Sequence, residues 1–216
     1  MGGAMGNGFI NAGEAAPIPD NPYVLDLEHD DPGGFALLLQ TGVFIPASQG
    51  LALQSFLCNV LGIDPSYLDQ RVQTVFLNGL AVDDLSRAVI GPGARVALSA
   101  ALPGLAGATM RRGGFYAGMR QGVTYVPAGV ERCADDFLVN IRFFNMVGAE
   151  LCERVLGRGV YVEADALKAF LQRRPEGFLA GMRLVDPASG EMLSASAVMN
   201  HLVRHDGIIL LNVHRL

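Results

Sequence analysis

Two turn signals inside residues 71–107 constrain this chain more than any other feature. The first is Asn78-Gly79, a pair that takes positive φ readily and closes a two-residue hairpin. Before it, Val72, Thr74 and Phe76 alternate with Gln73, Val75 and Leu77, the pattern of a strand with two distinct faces. Residues 80–82 form the short return strand. The second signal, Gly91-Pro92-Gly93, reverses the chain again into a strand over 95–99. Ahead of both, Leu53, Phe56, Leu57, Val60 and Leu61 recur at helical spacing and mark one apolar helix face. Ser48 offers an N-cap for that helix, Gly62 ends it, and Asp64-Pro65 is expected to prevent its resumption. Upstream, residues 23–28 alternate as a strand. Residues 35–40 and 43–45 read as a hairpin closed through Thr41-Gly42. The expected order across 35–102 is therefore ββαβ(β)β, with a helix covering one face of a mixed sheet.

This stretch resembles the β-grasp sulfur-carrier family, which includes the thiamine sulfur-carrier protein and the small subunit of molybdopterin synthase. The likeness rests on Leu77-Asn78-Gly79 with Val82, on Ile90-Gly91-Pro92-Gly93 leading into Val96-Ala97-Leu98, and on the small-residue run from Leu102 through Gly107. It covers about residues 35–107. The resemblance implies a ubiquitin-like β-grasp N-terminal domain and a glycine tail that carries sulfur on its terminal carboxyl. Family members end in Gly-Gly. Here Gly104 and Gly107 are separated and the chain continues, while Gly113-Gly114 after Arg111-Arg112 forms a second tail-like site. A free carboxyl at any of these requires cleavage, and the alternative is a flexible linker. An activating enzyme would then be the partner.

The fold class expected is α+β: a β-grasp-like domain over 23–107 and a second α+β domain with a mixed sheet over 123–216. A loose tail over 1–22 precedes them, and a glycine-arginine linker over 108–122 joins them. In the second domain, residues 137–144 carry large apolar groups on both parities and make the strongest strand signal. Asn145 can cap a helix bearing Val147, Leu151 and Val155. A second helix spans 163–173 until Pro175, residues 182–185 form a strand, and Asp186-Pro187-Ala188-Ser189-Gly190 forms a turn. Ser194 can cap a third helix before a closing strand over 208–213.

Composition narrows the function classes. Of 216 residues, 50% are hydrophobic and 17% charged, with mean hydropathy +0.32. No apolar run approaches the ~18–20 residues needed to cross a bilayer. The apolar excess then belongs to a core or a partner-facing surface, which predicts a homo-oligomer or a protein partner. A net charge of −5 disfavours nucleic acid, whose backbone is held by clustered Lys and Arg. Lys168 is the single lysine, as suits a GC-rich genome. Cys58, Cys133 and Cys152 are odd in number and contain no C-x-x-C, which favours a reduced, cytoplasmic setting.

Few constellations offer chemistry. Arg111, Arg112 and Arg120 lie among glycines and can form an anion site with backbone amides, although no phosphate-loop spacing is present. His201 and His205 share a helical face with Asp206 following, a spacing seen in zinc sites, so a divalent metal is the one cofactor the pattern admits. His29 sits among acids, and Cys133 is the thiol placed in a loop. The leading reading is a non-catalytic binding or assembly protein. The alternatives are a fused sulfur-carrier-type protein and an enzyme whose site lies between the domains.

Overall fold

The computed structural model describes residues 16–120, 122–127, 136–185 and 192–216. The chain opens with strands β1 (Ala16–Pro17) and β2 (Tyr23–His29), a 3-10 turn Pro32–Phe35, helix α1 (Ala36–Thr41) and strand β3 (Val43–Ala47). Helix α2 (Leu53–Ser55) continues as a π-helical turn, Phe56–Val60, and is followed by α3 (Pro65–Gln70). Strands β4 (Thr74–Leu77), β5 (Leu80–Ala81) and β6 (Arg95–Ser99) come next. Helix α4 (Gly104–Met110) and a 3-10 turn, Phe115–Met119, lead towards β7 (Phe137–Phe144). Then follow α5 (Asn145–Leu156), β8 (Val160–Glu163), α6 (Ala164–Gln172) and α7 (Glu176–Ala180). Strands β9 (Met182–Val185) and β10 (Met192–Leu193), helix α8 (Ala195–Val203) and strand β11 (Ile208–Arg215) complete it.

The strands form one mixed sheet in the order β10-β9-β2-β11-β8-β3-β7-β6-β4-β5. The fold class is thus α+β with helices against a mixed sheet. Strand β7 lies between β3, antiparallel, and β6, parallel. β1 pairs with Phe137 and Leu138, and β6 joins β7 from Asn140 onward. Strand β2 runs parallel to β11 over seven residue pairs, from Tyr23↔Ile209 to His29↔Arg215. A cut at 108–122 therefore does not divide the sheet, because β6 neighbours β7 and β2 neighbours β11 across it. One buried cluster joins Phe56 and Leu57 of the front helix to Ile141 and Phe143 of β7 and Leu211 of β11.

The turn chemistry acts as expected. Asn78 and Gly79 take φ of 53° and 83°, the mirror-image turn that matches strand twist. The Asn78 carboxamide oxygen also accepts from the Arg95 N–H at 2.8 Å, tying the β4–β5 turn to β6.

Three local expectations are corrected. Residues 35–40 are not a strand. They enter α1, where Phe35, Leu38 and Leu39 are buried at i, i+3 and i+4. Leucine, alanine and glutamine favour helix, and a short apolar run does not display its period. Gly42 at φ 113° ends that helix, and β3 pairs with β7 instead of with residues 35–40. Asp64-Pro65 starts a helix. The Asp64 carboxylate accepts from the Ser66 and Tyr67 N–H groups, and Pro65 occupies the first turn, where its missing N–H needs no partner. Ser48 caps nothing, since the α2 N-cap is Ala52. Of the expected tail, residues 1–15 lie outside the described residues, and Ala16–Pro17 pairs with β7. The expected turn over 186–190 also lies outside them. No helix among the described residues is long and apolar enough to cross a membrane.

Because β7 is shared, truncation after residue 107 leaves β6 without its parallel neighbour. That fragment is expected to give an unfolded far-UV circular dichroism spectrum, while the full chain gives a folded one. Ile141→Ala, at a fully buried position of β7, is expected to lower stability by roughly 2–5 kcal/mol in a single urea transition. Two resolved transitions would separate the halves.

Candidate functional site

The glycine-arginine stretch after β6 is a structured segment laid against the edge of the sheet. Gly104 opens α4 with φ 75°. Gly107 is buried within it, and a Cβ there would come 2.0 Å from the Leu102 carbonyl oxygen, so only glycine fits. Beyond α4 the backbone is pinned repeatedly. The Arg112 N–H donates to the Gln73 carbonyl at 2.7 Å, and the Gly113 N–H to the Asp83 carboxylate at 2.8 Å. The Ala81 N–H donates to the Val123 carbonyl and the Tyr125 N–H to the Ala81 carbonyl, both at 2.8 Å, which covers the open edge of β5. Tyr125 Oη accepts from the Val89 N–H at 3.3 Å.

Side chains reinforce the anchor. Arg120, 1% exposed, forms an ion pair with Asp83. Its Nε and Nη1 are buried without a protein partner. Burial alone would raise the Asp83 carboxyl, but hydrogen bonds from Arg120 and the Gly113 N–H outweigh it and hold the group below the usual aspartate range. Arg112 Nη2 donates to the Leu68 carbonyl and to Asp69, both at 3.1 Å. Arg111 is exposed and has no side-chain hydrogen bond or ion pair among the described residues.

Two clefts flank Arg112 and Gly113. One, of about 360 Å³, is lined by Asp69, Asp83 and Asp84 with Ser86 and Gln54. The other, of about 350 Å³, gathers all four tail glycines, Gly104, Gly107, Gly113 and Gly114, with Arg111 and Arg112. The sequence-derived tail and anion residues therefore converge, with Arg120 holding the same segment through Asp83. Sequence reasoning missed Gln73, Asp69, Phe115 and Tyr116, which line the clefts. Only Gln73, a polar residue on the parity otherwise held by Val75 and Leu77, hinted at one of them.

The other candidates do not join this site. The His29 imidazole is buried. Its Nδ1 accepts from the Asp31 N–H at 2.8 Å, so Nε2 carries the proton towards the Phe178 carbonyl at 2.9 Å. A neutral imidazole satisfied on both nitrogens and packed on Phe35 and Phe178 is structural. His205 stacks on Tyr23 with ring centroids 3.7 Å apart, and Asp206 lies 3.9 Å from the Lys168 ammonium. The His201 side chain and Cys133 lie outside what is described. Burial pushes the Cys152 thiol up to about 12, which removes it as a nucleophile near neutral pH. Among the described residues no group of His, Cys, Asp and Glu is placed to hold a metal ion. Comparison with family models, with curated proteins and with solved structures finds no match to this chain.

Asp83→Ala removes the counter-charge of a buried guanidinium. It is expected to destabilise the segment by about 3 kcal/mol, the low end for a buried pair because Asp83 is partly exposed. Faster trypsin cleavage at Arg111 and Arg112 reads this out. The same linkage fixes a pH dependence. Asp83 is depressed in the folded state, so its contribution is complete above the unfolded aspartate value of about 3.9 and is lost as pH falls through the folded value. Nicking that is unchanged in Asp83→Ala would show that the Arg120–Asp83 pair does not hold the segment.

Proposed function

We propose that the chain is a non-catalytic binding and assembly protein that associates with a second copy of itself through the face carried by residues 105–126. One observation supports this reading above the others. Leu105, Phe115, Tyr116, Met119, Val123 and Val126 leave large apolar surfaces in water, Phe115 at 94% exposure and Met119 at 67%. They lie on a segment that the Arg112, Gly113 and Arg120 contacts hold in place, so the face is presented in fixed form. Apolar patches of this kind mark interaction surfaces. The face carries little free charge to select an unlike partner, since two of its three arginines are paired internally. A self-complementary apolar contact about a two-fold axis needs none.

The scaffold beneath it reads as a β-grasp-like sheet. The run β3-β7-β6-β4-β5 has a parallel central pair, β7 and β6, with antiparallel partners outside them and a hairpin at the end. In this reading β7 takes the place of the strand that opens a β-grasp chain, so that strand arrives last. The carrier alternative requires an extended tail with a free carboxyl, whereas Gly104 and Gly107 belong to α4 and no observation favours it.

Light scattering on the purified chain at micromolar concentration is expected to give a dimer or a larger closed oligomer. Met119→Asp or Val126→Asp is expected to weaken that association by on the order of tenfold or more, since it places a charge in an apolar contact. A wild-type monomer at high micromolar concentration overturns the reading.

A further inference from the structure

We propose that residues 1–15 of the chain seat on the open face of strands β4, β6 and β7 and serve as its cover, with Phe9 and Ile10 against Phe144 and the Glu14 carboxylate beside Arg95 and Arg142. The face is separate from the one carried by residues 105–126, and the inference does not depend on self-association. These three strands have two unlike sides. Val75, Leu98, Ile141 and Phe143 belong to the buried core. The opposite parity is left partly in water. Phe76, Ala97 and Phe144 are half-buried and belong to neither buried cluster, and Arg95 and Arg142 are exposed. Register gathers these side chains on one side, since Phe76 pairs with Ala97, Ala97 with Arg142, and Ser99 with Phe144. Half-exposed rings of this kind on a sheet face call for a cover.

The course of the chain points residues 1–15 at this face. Ala16 pairs with Leu138, and its side chain joins Phe44 and Leu138 in a small cluster on the same open side. Traced back from Ala16 the chain ascends β7, because β1 is antiparallel to it. Residue 14 would fall opposite Asn140, where the edge is already taken. There the Asn140 N–H donates to the Ala94 carbonyl at 3.0 Å, and Arg95 pairs with Asn140. The core fills the inner side of the sheet, so the outer side is the one with room. An extended chain gains roughly 20 Å from Ala16 to Ile10 at about 3.3 Å per residue, the same rise as from Leu138 to Phe144. Glu14 then stands level with Asn140 and Arg95, and Phe9 and Ile10 stand level with Phe144. Within residues 1–15 Glu14 is the one charged side chain, and Phe9-Ile10 is the one aromatic-aliphatic pair. Covering the rings supplies the affinity, and the opposite charges fix the position.

The chain contains no tryptophan, so Phe9→Trp introduces its single indole. The emission of that full chain is expected to lie to the blue of its position in urea, and to stay there from nanomolar to micromolar protein. Added to Phe9→Trp, Phe144→Ser is expected to raise the acrylamide-accessible fraction by on the order of tenfold. Arg142→Glu, at an exposed position that keeps the fold, is expected to raise it roughly fivefold. Met119→Asp, which disrupts the 105–126 face, is expected to leave the emission unchanged whatever light scattering shows of the oligomer. Urea-like emission from the native chain overturns the proposal, as does an Arg142→Glu variant with unaltered quenching. A blue shift that appears only as concentration rises assigns the face to a second copy and overturns it too. A red shift caused by Met119→Asp places residue 9 in the 105–126 contact, with the same consequence.

Discussion

The pairing of β7 on both its edges holds the molecule together. Residues 137–144 bury Phe137, Val139, Ile141 and Phe143 on one parity and Leu138 at the start of the other, where Arg142 is exposed. A strand with one continuous apolar face is stable only when that face is covered. Its backbone needs a neighbour on each edge as well, since unpaired buried amide groups are costly. β3 supplies one edge. The other is divided between β1 at its start and β6 thereafter. Segments far apart in the chain thus meet on one strand. The β2–β11 pair does the same for the opposite end of the sheet.

Local chemistry made many of these elements readable. Asn78-Gly79 implied positive φ at both positions, and both have it. The alternation over 137–144 and the apolar stripe on α5 returned as a strand and a helix with Val147, Leu151 and Val155 inward. Alternation says that a strand exists and which faces it buries, yet it is silent about the neighbour. The partners of β2 and β7 were therefore outside its reach. The strand expected over residues 35–40 failed for a different reason. Three consecutive leucines fit a buried strand and a short helix equally well, and the choice was made by packing under α5 and by Gly42. At Asp64-Pro65 the same two residues can end a helix or begin one, and the Asp64 side chain turned inward to the next amides.

The candidate site divides along the same line. Arg111, Arg112 and the tail glycines were visible as a run of small and basic residues. Their role was not, because composition cannot distinguish a solvated hinge from a segment pinned by single hydrogen bonds to Gln73 and Asp83. Those two residues lie about thirty to forty positions earlier in the chain, on β4's approach and after β5. Asp83 is informative here. Adjacent residues in a strand point to opposite faces, so Asp83 and Asp84 read as no carboxylate dyad, and the two carboxylates have different partners, one binding Arg120 and the other accepting from the Ser86 N–H.

Topology accounts for why a surface of this kind sits where it does. β6 and β7 are parallel neighbours, so the chain must leave the end of β6 and return to the start of β7. A parallel connection needs a dozen or more residues, commonly with a helix. The five residues of β6 span only about 17 Å, and residues 100–136 are more chain than that return requires. Excess chain in a crossover either remains loose, at a cost in closure entropy, or finds its own contacts. Here α4, the Arg120–Asp83 pair and the strand-like bridge at Ala81 supply those contacts. They consume the segment's backbone amides and two of its arginines, while its apolar side chains have no sheet face left to cover. An outward-facing apolar segment is what remains when a long crossover is fixed through its polar groups.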